Sequence, residues 1–192
     1  FDWYDEYAHG VIDRRTFFSR LTGLVALGYS MSILTDTLMP NYAEADQVSF
    51  NDPDIKAKFV QFASPKGHGE CQGYLVSPSN ISGKVPAVLV VHENRGLNPY
   101  VKDVARRLAK EGFLAFAPDG LYPLGGYPGN DDDGKVLQKK LNRGKISVDM
   151  LNGAKWLKGH SLSNGKLAAT GFCFGGGVIN YLAVKMGADL NA

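Results

Sequence analysis

The eleven residues Leu167-Ala-Ala-Thr-Gly-Phe-Cys-Phe-Gly-Gly-Gly177 constrain the fold more than any other part of the chain. They read as a buried strand running into a glycine-bounded turn, with Cys173 at its apex and a helix after it. In a nucleophile elbow the apical residue sits on a strained strand-to-helix turn. The residues two before and two after it must then be nearly free of side chain. Gly171 and Gly175 fill those two places. A helix beginning near Phe174 aims unpaired amides and partial positive charge at the Cys173 sulfur, which favours a thiolate. The plainer alternative makes Cys173 a small buried hydrophobe and the glycines a means of packing helix on strand. The spacing, taken with the preceding strand, favours the elbow. A phosphate-binding loop fits less well. The dinucleotide pattern needs a second glycine where Cys173 stands, and the P-loop needs a lysine where this chain has Val178.

With 192 residues, 44% hydrophobic and 21% charged, the chain suits one domain with a substantial core. A net charge of +2, without a basic stripe interleaved with aromatics, gives no reason to expect a nucleic-acid partner. Two cysteines, Cys71 and Cys173, exclude a disulfide scaffold and leave one thiol available for chemistry. His9, His68, His92 and His160 are scattered without zinc-ligand spacing, so neither a metal nor another cofactor is expected.

Residues 1–45 form a helical segment distinct from the domain of residues 46–192. Arg14-Arg15-Thr16-Phe17-Phe18 precedes a moderately apolar run, Leu21 to Leu34, and then Ala43-Glu44-Ala45. That order resembles a twin-arginine export signal and implies a periplasmic protein. Asp2, Asp5, Glu6 and Asp13 make its start acidic where a signal begins basic. The alternative is an amphipathic helix folded on the domain of a cytoplasmic protein. The run is too short to span a membrane, so no stable anchor is expected.

From Asp46 onward strand-like and helix-like stretches alternate. Lys58 to Phe62 and Cys71 to Val76, separated by Pro65-Lys66-Gly67, predict an antiparallel hairpin. Ala87 to Val91 and Phe113 to Ala117 are apolar without alternation, as central strands covered on both faces should be. Between them Val101, Val104, Ala105, Leu108 and Ala109 share one helical face, with Pro99 near the start and Gly112 past the end. A second helix is expected over much of Asp133 to Leu157, with Val148, Leu151, Ala154 and Leu157 on its inner stripe. The acidic run Asp131-Asp132-Asp133 is more simply a helix N-terminus than a metal site. This order predicts an α/β fold, a mostly parallel sheet with flanking helices whose active groups gather beyond the carboxyl ends of its strands. The loops that qualify are His92 to Asn98, Pro118 to Asp132 and the elbow.

Thr170-Gly-Phe-Cys-Phe-Gly-Gly176, Val90-Val-His-Glu-Asn-Arg-Gly-Leu97 and Ala117-Pro-Asp-Gly-Leu-Tyr122 resemble three motifs of the dienelactone hydrolase family within the α/β-hydrolase superfamily. The likeness covers residues from about 55 to 190. It implies a hydrolase in which Cys173 attacks an ester or lactone carbonyl, the backbone amides of Phe174 and Asn94 form the oxyanion hole, and Glu93 assists activation of the thiol. Loss of one such donor costs about a hundredfold to a thousandfold in rate. For Glu93 the alternative is a loop carboxylate paired with Arg95 or capping the next helix. His92 is expected not to act as base, because in this fold the triad runs nucleophile, acid, histidine along the chain; it either positions the pocket or only hydrogen-bonds backbone in the core. Arg95 and Tyr122 are further candidates for the substrate pocket, and His160 is expected to be solvated.

The chain stops nineteen residues after Cys173, before the strands that would bring the triad aspartate and histidine. The C-terminal part of the hydrolase domain is therefore expected to be missing. Without acid and base, losses of about 10⁴ to 10⁶ in turnover are expected, so the chain alone should be nearly inactive. An open sheet edge is also expected, to be covered by a C-terminal half or a partner chain. With no arginine between Gly112 and Asn142, and an aromatic, glycine-rich loop from Leu121 to Tyr127, a neutral or apolar ester is expected rather than a small dianion. The alternative to a cysteine hydrolase is a non-catalytic fragment or interaction module that keeps the half-sheet.

Overall fold

The computed structural model describes residues 3, 6, 7, 11–25, 30 and 46–192. The chain divides into two compact units, residues 1–45 and 46–192. In the first, helix α1 (Arg14–Val25) starts where Asp13 Oδ1 accepts a hydrogen bond from the Thr16 amide at 2.7 Å. Tyr7 stacks on Phe17 with ring centroids 5.0 Å apart, and Glu6 pairs with Arg20. Most of the run from Leu21 to Leu34, and all of Ala43 to Ala45, lies outside the described residues. Among the described residues no helix is long and apolar enough to cross a membrane.

The second unit runs β1 (Ile55–Ser64), β2 (Gly69–Pro78), β3 (Val85–Val91), α2 (Pro99–Lys110), β4 (Leu114–Pro118), a 3-10 turn (Tyr122–Leu124), α3 (Asp131–Gln138), α4 (Arg143–Lys158), β5 (Ser163–Gly171) and α5 (Phe174–Met186). The strands form one sheet in the order β1-β2-β4-β3-β5. The hairpin forms as its turn residues direct, with Phe62 opposite Cys71. Strands β3, β4 and β5 are parallel, whereas β2 lies antiparallel to both β1 and β4. The α/β architecture stands, but the sheet is mixed rather than mostly parallel, because the hairpin docks through β2 and brings two antiparallel pairings.

All five residues of β4 and the last five of β3 are buried, consistent with helices on both faces. On one face Val101, Ala105 and Ala109 of α2 pack with Val76, Val88, Val90 and Ala115. Helix α2 is started by Asn98, whose Oδ1 accepts from the Val101 amide at 3.0 Å, with Pro99 at the first helical position. On the other face α4 and α5 cover Leu75, Leu89, Val91 and Phe116. The single helix expected over Asp133 to Leu157 is two helices, separated by residues 139–142. Asn142 restarts the chain by accepting from the Lys145 amide at 3.0 Å. Its buried stripe is Ile146, Met150, Ala154 and Leu157, whereas Val148 and Leu151 are half-buried. The phase follows the Asn142 cap, which sequence periodicity alone did not weigh.

Asn191 and Ala192 lie along the outer side of β5. The Asn191 amide donates to the Leu167 carbonyl at 2.7 Å, and the Ala169 amide donates to the Ala192 carbonyl at 2.9 Å. The edge expected to be bare is thus partly occupied by the chain itself.

Candidate active site

Beyond β5 the Phe172 amide donates to the Val91 carbonyl at 3.2 Å, holding the turn against the end of β3. The chain then reverses through Cys173, at φ 50° and ψ −106°, into α5. Among the described non-glycine residues only Lys66 shares a positive φ with it. Such a backbone is strained for a residue with a Cβ and persists only where its surroundings impose it. Here the glycines impose it. A Cβ on Gly171 would lie 2.5 Å from the Gly175 carbonyl carbon, and one on Gly175 would overlap the Val91 carbonyl and come within 3.0 Å of that of His92. The turn leaves Cys173 exposed.

The Cys173 side of the turn opens into a cavity of about 560 Å³, lined by Asn94, Phe174, Gly177, Val178 and Tyr181 together with residues of α3 and α4. Asn94 belongs to the loop after β3 and Phe174 is the first residue of α5. Among the described residues neither amide donates a hydrogen bond to the protein. For Phe174 this follows from its place at a helix N-terminus, where no preceding helical carbonyl is available. The cavity therefore brings together an exposed thiol and two residues with unspent N–H groups.

His92 is fully buried and has both ring nitrogens in use. Its Nε2 accepts from the Gly120 amide at 3.0 Å, so Nδ1 carries the proton and donates to the Glu93 carbonyl at 2.5 Å. Burial pushes its pKa down to about 4, with the Glu93 carbonyl as a smaller opposing effect. A neutral ring spent on both sides positions the loops after β3 and β4, and cannot also take a proton from Cys173. A Cβ on Gly120 would stand 2.7 Å from that Nε2, which explains the glycine in Pro118-Asp119-Gly120.

Glu93 accepts from Asn98 Nδ2 at 3.1 Å, and its pKa is raised by burial and by the nearby Asp131 carboxylate, against Arg95 and the Asn98 bond. Arg95 pairs with Asp131 at 3.3 Å. Asp131 also accepts from the Tyr127 hydroxyl at 2.8 Å, so the first acid of α3 joins a loop network as well as starting a helix. Glu93, Arg95 and His92 are not among the described residues lining the Cys173 cavity. Tyr122 lines a separate cavity of about 290 Å³ with Phe59, Gln72, Lys102 and Asp119. The loop from Leu121 to Tyr127, expected to give the substrate pocket an apolar character, faces that second cavity. The Cys173 cavity is bordered instead by Lys135, Gln138, Lys139 and Arg143, which the sequence reading missed. Arg143 stands one residue past the arginine-free interval, and only the break between α3 and α4 turns these side chains toward Cys173.

The other cysteine and the other described histidines are differently placed. Cys71 is buried, and its thiol is pushed up to about 12 by burial first and then by Asp149. His68 is engaged by Asp149 through Nδ1. His160 is half-buried against Trp156, 5.1 Å between centroids, rather than solvated.

A sheet flanked on both faces by helices, with a sharp strand-to-helix turn beyond β5 and a cavity over that turn, is the architecture of the α/β-hydrolases. Comparison narrows the class. Residues 71–192 match the model of the dienelactone hydrolase family, and the chain belongs to that family. Residues 1–25 match a second model, described as YqhI-like. A protein of Escherichia coli strain K12, named as the hydrolase fragment YghX, is 62% identical over 109 residues, covering 57% of this chain and 93% of that protein. A Yersinia pestis protein named as a carboxymethylenebutenolidase is 36% identical over 58% of this chain and 43% of its own length. The crystal structure of a dienelactone hydrolase from Klebsiella pneumoniae superimposes with a TM-score of 0.52 at 30% identity, over 67% of this chain and 55% of that one. The carboxymethylenebutenolidases are thus spanned to about half their length.

Proposed function

We propose that the chain carries the nucleophile half of an ester or lactone hydrolase site, with Cys173 attacking the substrate carbonyl. The observation that carries this reading is the exposed Cys173 at φ 50°, over a cavity that it shares with the unspent amides of Asn94 and Phe174. In the proposed step the sulfur forms a bond to the carbonyl carbon and the carbonyl oxygen takes the electron pair. The two amides, fixed before the substrate arrives, donate to that oxygen. The tetrahedral species then collapses, its C–O bond breaking with the electron pair on the departing oxygen, which takes from water a proton equal to the one the thiol gave up. An acyl-thioester forms, with the alcohol released from an ester or left tethered to the acyl group from a lactone. Glu93, on the loop that carries Asn94, is assigned to thiol activation, and His92 to positioning that loop.

Among the described residues no histidine lines the cavity, and each of the described ones is engaged elsewhere. The base and its orienting acid are accordingly assigned to chain lying beyond these residues or to a partner, joining at the β5 edge where Asn191 and Ala192 already lie. Residues 1–45 are proposed as an export segment. Replacing Arg14 and Arg15 with lysine in a fusion of residues 1–50 to a reporter should abolish secretion, and unchanged secretion rules export by that route out.

The central reading is tested by iodoacetamide labelling of the full chain at pH 8. Cys173 should be alkylated much faster than Cys71, and 4-nitrophenyl acetate should release up to one equivalent of nitrophenol in a burst absent from Cys173→Ala. Equal slow labelling of both thiols, without a burst, would favour the non-catalytic module.

A further inference from the structure

Lys135, Lys139 and Arg143 stand together on the Cys173 cavity, and no aspartate or glutamate lines it among the described residues. None of the three forms an ion pair or side-chain hydrogen bond with a described residue. Lys135 is half-buried there, whereas Lys139 and Arg143 are exposed. The helices add to the same sign. Arg143 opens α4 and Phe174 opens α5, so two helices of 16 and 13 residues begin at this cavity with their positive ends toward it. Gln138, also on the lining, keeps its buried Oε1 without a hydrogen-bond partner. A buried acceptor without a protein partner calls for a donor from what binds there. The Tyr181 hydroxyl is likewise unpaired among the described residues.

On the proposed reading of Cys173, we infer that its substrate is an ester or lactone carrying a phosphoryl-type dianionic head, held by Lys135, Lys139 and Arg143, with a hydroxyl or N–H group meeting Gln138. Three unpaired cations and two helix N-termini make a charge excess that a single carboxylate would leave largely uncompensated. A dianion with three acceptor oxygens offers each cation a partner. The volume of about 560 Å³ holds a molecule well beyond a small lactone, with room for the head and for the reacting carbonyl. The pKa of Lys135 is lowered by burial first and then by Arg95 and Lys139, against the smaller opposing effect of the Asp132 carboxylate.

The test uses the full 192-residue chain at fixed ionic strength and pH 8, following iodoacetamide alkylation of Cys173 by mass spectrometry with phenyl phosphate, benzoate or benzamide present. Phenyl phosphate should protect saturably, at a half-protecting concentration roughly tenfold below that of benzoate, as one added charge among these cations implies. Benzamide should not protect. The preference should vanish in Lys135→Gln/Lys139→Gln/Arg143→Gln and survive in Lys56→Gln/Lys58→Gln/Lys155→Gln, which removes equal charge from exposed positions outside the cavity. Amide NMR shifts of Gln138 and Gly177 read the same ligand order without needing a reactive thiol. An unreactive Cys173 with phosphate-selective shifts would sink the hydrolase reading alone. Equal effects of benzoate and phenyl phosphate, no effect of either, or a preference kept by the cavity variant would overturn the dianion assignment.

Discussion

At Gly175 the fold leaves room for a hydrogen and no more. A methyl group there meets the Val91 and His92 carbonyls, backbone atoms fixed by the end of β3, so the clash cannot be relieved by a side-chain turn. Gly175→Ala should cost about 1–3 kcal/mol, the usual penalty of overpacking, and should slow Cys173 alkylation because the turn must open to accept it. Gly177, two residues on, meets nothing within 4 Å and sits in the interior of α5. Gly177→Ala should therefore stabilise by about 0.5–1 kcal/mol through the unfolded chain's lost freedom. Paired urea titrations check both, and equal effects would mean that the glycines serve helix packing and not the turn. The sequence announced this distinction, since the spacing of Gly171 and Gly175 about Cys173 is what the geometry requires. It did not announce the cations, which reach the cavity only through the break between α3 and α4.

Between the loops after β3 and β4, two buried titratable groups oppose one another. Asp119 accepts from the Leu121 amide at 2.9 Å, and its pKa is raised from 3.8 to about 6, chiefly by burial. Its folded value exceeds its unfolded one, so the folded state holds the proton more tightly and stability falls as pH rises from about 4 to about 6. At neutral pH that penalty is on the order of 3 kcal/mol. His92 is lowered from 6.5 to about 4, so its contribution is complete above 6.5 and is lost as pH falls through that interval. The two slopes largely cancel in the wild type. Asp119→Asn keeps an acceptor for Leu121, should be more stable than wild type at pH 7, and should lose stability steeply on acidification because only the His92 slope remains. Urea unfolding between pH 4 and 7 measures it; parallel curves for the two proteins would contradict the Asp119 assignment, and a flat curve for Asp119→Asn would contradict that of His92. At this scale the strands β3, β4 and β5 and the helices α2 and α5 were legible, because unbroken apolar runs and cap residues write them locally. Strand order was not, since nothing in the Cys71 to Val76 stretch says that β2 docks antiparallel on β4. The residues from Asp133 to Leu157 misled for a related reason, as a plausible apolar stripe crossed a break set by one asparagine.

A molecule whose last strand borders solvent must either hide that edge or pair through it. Here β5 carries Cys173 at its end, and its outer side meets Asn191 and Ala192. The Leu167 amide donates to Asn191 Oδ1 at 2.9 Å, so three hydrogen bonds hold the edge over only two residues of chain. Each bond at a solvated edge contributes about 0.5–1.5 kcal/mol net, because water replaces it on loss. Deleting Asn191 and Ala192 should thus lower stability by about 1.5–4.5 kcal/mol. The effect on association should be larger than the effect on folding, because Leu167 and Ala169 would then offer free backbone groups in register for another chain's strand. Sedimentation velocity across a range of concentrations should show the shortened protein forming dimers or larger species where the 192-residue chain forms fewer. Extension beyond Ala192 with a strand-forming sequence of a family relative should reverse the trend. A shortened protein that stays as monomeric as its parent would show that the β5 edge is not where further chain joins, and the proposed base would then have to reach Cys173 from another side.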